Sequence, residues 1–314
     1  MNLKSILLLI LAFMVNLNVV AQVNVDSLKT RYYADSGSAE EKAEIAAKIA
    51  DALVYNQPDS ANLYANSGLE IAKKHNFADG IFHNNYVLGR IELNRENLDG
   101  AAHYFTNAVA ISNQLENISL GLNAFQMLAY VYDMQNQYLN AYKVYRDGIK
   151  LAEEINDSVK LYSLYNNFGS HLQHLGDFEE SKLMFLKTLE VAAALQPEQL
   201  RFSPASAYSN LSVIYMDSGD LDSALYFLNQ AWTYPGSRAD AYGEQTMATN
   251  YTDIYLSRNK PDSVRKYLAI QKNDLEKMEG SFPGSLDFQY AKSTANWVKA
   301  NLRMANCNRL NIVY

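Results

Sequence analysis

Cysteine is nearly missing from this sequence. Cys307 is the only one in 314 residues, so no internal disulfide can form and stability must come from packing. It sits in a polar tail with no histidine nearby, which removes it as a thiol nucleophile. Proline is scarce, at six residues, and no low-complexity tract occurs; long disordered segments are not expected. Basic side chains number 27 against 34 acidic ones, for a net charge of -7. With no basic stripe the chain matches a phosphate backbone poorly, and no nucleic-acid partner is expected. The G-x-S-x-G, Walker and G-x-G-x-x-G patterns are all missing, which leaves no nucleophile elbow or phosphate cradle. Neither an enzymatic activity nor a cofactor is expected.

Apolar residues are plentiful, at 48%, but only one run has the look of an address. Lys4 precedes the apolar Ile6 to Val15, and Val19-Val20-Ala21 offers a small-residue cleavage pattern, so residues 1–21 read as a signal peptide. An uncleaved anchor is the competing reading. Asn16 and Asn18 interrupt the run well short of the roughly 20 apolar residues a span needs. The mature chain is therefore expected in the periplasm or outside the cell, with no membrane span.

The rest is organised around Leu161 to Leu195, two apolar helices joined by a Gly-Asp turn. Tyr165, Phe168, Gly169 and Leu172 share one face of the first helix. Gly176 is suited to end it in the left-handed conformation, and Asp177 to cap the next. Ser181, Phe185, Thr188 and Leu189 mark the packing face of the second helix. The unit recurs. Asp59-Ser60-Ala61, Asp99-Gly100-Ala101, Leu139-Asn140-Ala141, Glu179-Glu180-Ser181, Asp222-Ser223-Ala224 and Asp262-Ser263-Val264 follow at steps of 40, 40, 40, 43 and 40 residues. Leu88-Gly89, Leu128-Ala129, Phe168-Gly169 and Leu211-Ser212 keep the same register on the first helices. A helix pair this small cannot bury its apolar face alone and must stack on its copies.

These landmarks resemble the long-repeat branch of the tetratricopeptide repeat (TPR) family. The best matches are Phe125, Leu128, Ala129, Tyr132, Tyr138, Ala141 and Tyr145, and Tyr208, Leu211, Tyr215, Gly219, Asp220, Ala224 and Ala231. The resemblance implies an all-α, right-handed α-solenoid of six helix pairs over residues 42–281, with repeats starting near 42, 82, 122, 162, 205 and 245. Residues 22–41 read as an N-terminal cap, 282–304 as a C-terminal helix and 305–314 as a tail. Leu286 to Met304 reads either as a purpose-built cap or as the first half of an incomplete repeat, the latter predicting self-association through that face.

The family's inner groove is lined from fixed points on each first helix. Carried over, these are His83, Tyr86 and Arg90; Asn123, Gln126, Tyr130 and Asp133; Ser163, Asn166, Ser170 and His174; Ser209, Val213 and Asp217; Thr249 and Asp253. Such a lining, aromatic and neutral-polar, suits an extended peptide. The family's carboxylate clamp needs a Lys and an Asn at matched points. This chain instead has Gln126, Asn166 and Ser209, followed by Tyr130, Ser170 and Val213. His171 and His174 form an H-x-x-H pair without further metal ligands in sequence reach. The preferred reading puts one at a packing edge and one on the surface, with no metal.

Protein or peptide recognition is therefore the expected function. The resemblance points to the exported sensor-type region of a bacterial signalling protein, without an output region in this sequence. A secreted envelope-complex scaffold, a glycan- or small-ligand-binding solenoid and, more distantly, a metallohydrolase are the alternatives.

Overall fold

The computed structural model describes residues 25–34, 37–115, 117–200, 203–235 and 241–281. The expected signal peptide, C-terminal helix and tail lie outside the described residues, which are helical and contain no strand. The chain divides between Lys160 and Leu161 into two compact units.

The first unit holds α1 (25–33), α2 (Ala39–Leu53), α3 (Pro58–His75), α4 (Ala78–Asn94), α5 (Leu98–Ile111), α6 (Ile118–Met134) and α7 (Tyr138–Glu154). After the first turn of α8 (Ser158–Leu175), the second holds α9 (Phe178–Ala194), α10 (Ala205–Asp217), α11 (Leu221–Thr233), α12 (Ala241–Ser257) and α13 (Pro261–Ser281).

Helix ends follow from the chemistry of the turns. Asn97, Asp177 and Asp220 each accept the backbone N–H three residues on, at 3.1, 3.2 and 3.1 Å, and so start α5, α9 and α11. Pro58 and Pro261 open α3 and α13, where a missing N–H costs nothing. Glu96, Asn136, Gly176, Gly219 and Asn259 hold positive φ, between 54° and 82°, at matched points between first and second helices. After Glu96, Asn136, Gly176 and Asn259 the N–H of the following residue closes back on the helix, as from Asp177 to the Leu172 carbonyl at 3.0 Å. Asn76 and Asn156 take the same conformation after second helices. Only Gly176 among these was assigned that conformation from the sequence.

Within each pair the first helix is the more deeply buried. α4 buries Phe82, Val87, Leu88, Gly89 and Ile91 among others, whereas α5 buries only Ala101, Phe105 and Ala108. The small residues set the spacing: a Cβ on Gly89 would come within 2.7 Å of the Phe105 ring, and one on Gly169 within 2.9 Å of Phe185. At one end of the first unit, Val25, Leu28 and Tyr32 of α1 pack on a core that includes Ile45, Ile49, Leu53 and Leu88. The Tyr32 hydroxyl bonds Ser67 Oγ at 2.7 Å.

Tyrosine hydroxyls do not all sit at the solvent edge. Tyr145 is buried with its hydroxyl on the Asp133 carboxylate, and Tyr251 donates to Asn229 Oδ1 at 2.6 Å from within the second unit's core. A buried hydroxyl needs a partner, and each of these rings reaches one without leaving the core. Tyr251 stacks on Tyr267 with ring centroids 4.2 Å apart, and Trp232 meets both edge-on.

Candidate functional site

In the first unit, α2 and α4 are the first helices of consecutive pairs and lie side by side. Glu44, Ala47, Lys48, Asp51 and Ala52 recur on α2 at helical spacing, as do Asp79, His83, Tyr86, Val87 and Arg90 on α4. Between these two faces, and closed at one side by Leu28 of α1, lies an open cavity of about 660 Å³. That is large enough for several side chains of an extended segment. Its small and aliphatic members, Ala47, Val87 and Leu28, give depth. Tyr86 stacks on Phe82 at 5.8 Å and meets the buried Phe105 edge-on at 5.6 Å, so its ring is held in place.

The charged side chains are arranged in pairs. Arg90 donates to Asp51 and, through Nη2 at 3.3 Å, to the Tyr55 hydroxyl, with its guanidinium 5.6 Å from the centre of that ring. Burial lowers its pKa, and its side chain is only 23% exposed against 50% for Asp51. Lys48 lies 3.5 Å from Glu44 one helical turn away, with both side chains more than half exposed. Burial lowers His83 below the usual imidazole range; Asp79 and Glu44 oppose this more weakly, and Lys48 adds to it.

Of the residues expected to line a groove, the structure thus brings His83, Tyr86 and Arg90 into one cavity. Others are engaged with neighbouring first helices. Asn123 accepts from Lys160 Nζ at 2.7 Å, with Ser119 on Asp157 beside it. In the second unit Asn166 accepts from Ser206 at 3.4 Å, and Ser209 from Asn250 at 3.4 Å. Ser170 bonds its own helix at the Asn166 carbonyl, and Asp133 accepts from Tyr145. Gln126 is half-buried; Tyr130, His174 and Asp217 are exposed. Asp253 is half-buried, and desolvation pushes its carboxyl up to about 6.

His171 is buried and His174 exposed, so the pair does not share a surface. Among the described residues no group of three or more His, Cys, Asp or Glu side chains is placed to hold a metal.

Glu44, Lys48, Asp51 and Asp79 were not anticipated. The groove points carried over from the family begin at His83 in the second repeat, and α2 has neither an aromatic residue nor a glycine to mark its register. The signal was present in the spacing: Glu44 precedes His83, and Asp51 precedes Arg90, by 39 residues.

No protein-family model matches the sequence, and no curated protein does. Solved structures do match. The signal-transduction ATPase with a tetratricopeptide repeat sensor from Pyrococcus horikoshii superposes with a TM-score of 0.71 at 14% identity, over 86% of this chain and 42% of that one. Apo RapI gives 0.68 at 15% identity, over 93% and 84% of the two chains. PilW, a type IV pilus biogenesis factor, gives 0.54 at 17% identity, over 79% and 97%. The likeness is one of fold: this is an all-α chain of TPR-like helix pairs. It spans under half the length of the Pyrococcus protein. No helix among the described residues is long and apolar enough to cross a membrane.

Proposed function

We propose that this chain is an exported TPR-type scaffold that holds a peptide or protein segment, acting as the ligand-sensing part of a signalling system in the periplasm or outside the cell. The observation that carries the reading is the convergence of His83, Tyr86 and Arg90 with the α2 face around one open cavity. Two rigid helices supply its walls, and a fixed aromatic ring, hydrogen-bonding groups and apolar depth supply what an extended segment needs. Asn123, Asn166 and Ser209 hold partners as Arg90 does on α2, so what favours the α2–α4 groove is the open cavity its residues line. The likeness to a protein described as having a TPR sensor, and to a type IV pilus biogenesis factor, is compatible with this role. Export rests on the leader sequence alone.

The test begins with protein purified under native conditions from the compartment where it accumulates. Mass spectrometry is expected to find a mature N-terminus at Gln22 and a peptide released by acid. Ala52 is exposed at the cavity rim, and Ala52→Trp is expected to plug the cavity and abolish recovery of that peptide. Equal recovery from the two proteins would refute the groove.

A further inference from the structure

The charges of the α2–α4 groove point to the class of segment it takes, and this step rests on the reading just given. Its lining carries three carboxylates, on Glu44, Asp51 and Asp79, against two cations, Lys48 and Arg90. The count alone would decide little; the accessibility of each group decides more. Arg90 is drawn down onto Asp51 and the Tyr55 ring, and is the least exposed member of its pair. Donors on both of its terminal nitrogens are taken up by partners on α2 and the turn after it. Lys48 is the other cation, and it stands beside Glu44 as a loose pair of exposed side chains that water and salt readily separate. His83 adds no charge at neutral pH, because its burial favours the uncharged ring. The cavity therefore presents half-exposed carboxylate oxygens over an apolar floor, with its most buried cation already neutralised.

An incoming carboxylate would find Arg90 already held by Asp51 and Lys48 already shared with Glu44, and would join a third carboxylate, Asp79, in the same lining. An incoming cation can share Glu44 with Lys48 and approach the outer oxygen of Asp51. Its aliphatic stem would lie along Ala47, Val87 and Tyr86, as long basic side chains do on apolar surface. From this charge complementarity we infer that the groove selects an extended peptide segment carrying a lysine or arginine side chain, and discriminates against acidic segments. Electrostatic complementarity of this kind gives specificity more than affinity.

The experiment uses the full mature chain, immobilised, and a random dodecapeptide phage library as the probe, panned at low and at physiological salt. Clones retained by the native protein and not by Ala52→Trp are sequenced. Lysine and arginine are expected to be enriched over the unselected library by about threefold or more, the effect of an exposed charge pair on affinity, with aspartate and glutamate depleted. Glu44→Gln, an exposed substitution whose folding is checked by circular dichroism, is expected to retain clones with that enrichment largely lost. Groove-dependent clones that are neutral or acidic would overturn the assignment of a cationic ligand while leaving the groove intact. No clone distinguishing the native protein from Ala52→Trp would overturn both the groove and the assignment.

Discussion

Gly169 lies so close to Phe185 that a single added carbon would touch the ring, 2.9 Å from Cε1 and 3.0 Å from Cδ1. The Ser181 hydroxyl closes the same contact from the other helix, donating to the Gly169 carbonyl at 2.7 Å. Phe185 is fully buried and cannot swing away into solvent. Gly169→Leu is therefore expected to force α8 and α9 apart at a cost of about 1–3 kcal/mol, typical of an overpacked core. Thermal melting would register the loss. Hydrogen exchange should place it in these two helices and those they touch, because repeat arrays couple mainly to their neighbours. An unchanged melt with unchanged exchange in α8 and α9 would reject the packing described.

Along the turn edge of each unit runs a second repeated contact. Arg95 Nη2 donates to Asp59 Oδ1 at 2.6 Å, Gln135 Nε2 to Asp99 Oδ1 at 2.7 Å, and Arg258 to Asp222, each joining residues 36 apart. In every case the end of one first helix is tied to the start of the second helix before it. Asp59 is 94% exposed, so each tie is weak by itself. A double-mutant cycle on Arg95 and Asp59 is expected to give a coupling of about 0.2–1 kcal/mol. A coupling indistinguishable from zero would mean that the repeated geometry is not a stabilising one.

Asp253 gives the pH dependence a definite sign. Its carboxyl is raised from 3.8 to about 6 because burial disfavours the charge. The folded state holds that proton more tightly than the unfolded chain, so the side chain's contribution to stability is fully present below pH 3.8. It is lost as the pH rises through about 6. Asp253→Asn is thus expected to stabilise the protein near neutral pH by about 1–2 kcal/mol, the linkage value reduced for the solvent that still reaches the group. The gain should vanish below pH 3.8. Melting curves of the two proteins across this range check it; equal stability at neutral pH would show that Asp253 is not desolvated.

Much of the fold could be read in advance because it is written in local chemistry. Pro58 and Pro261 open helices, Gly176 and Asp177 make a turn, and Gly169 pairs with Phe185, all of which follow from residue type and register. Glu96 and the asparagines at 76, 136, 156 and 259 were not recognised as left-handed residues. Their side chains tolerate that conformation without demanding it, so the surrounding helices make the choice. The cavity lining was legible on α4 and illegible on α2. His83, Tyr86 and Arg90 could be carried over from the resemblance, but α2 packs the same way with none of the aromatic landmarks. Nor does any sequence pattern announce that Ser209 accepts from Asn250 of the next first helix, since that depends on how closely α10 and α12 approach.

A peptide seated between α2 and α4 would shield the amides of both helices from exchange. Hydrogen exchange by mass spectrometry on the full mature chain, with and without a groove-selected peptide at saturating concentration, tests that seating most directly. Added protection is expected to concentrate in residues 44–52 and 79–90, with the α10 and α12 faces that carry Ser209 and Asp253 unchanged. Protection falling on those faces instead, with 44–52 and 79–90 unaltered, would contradict it.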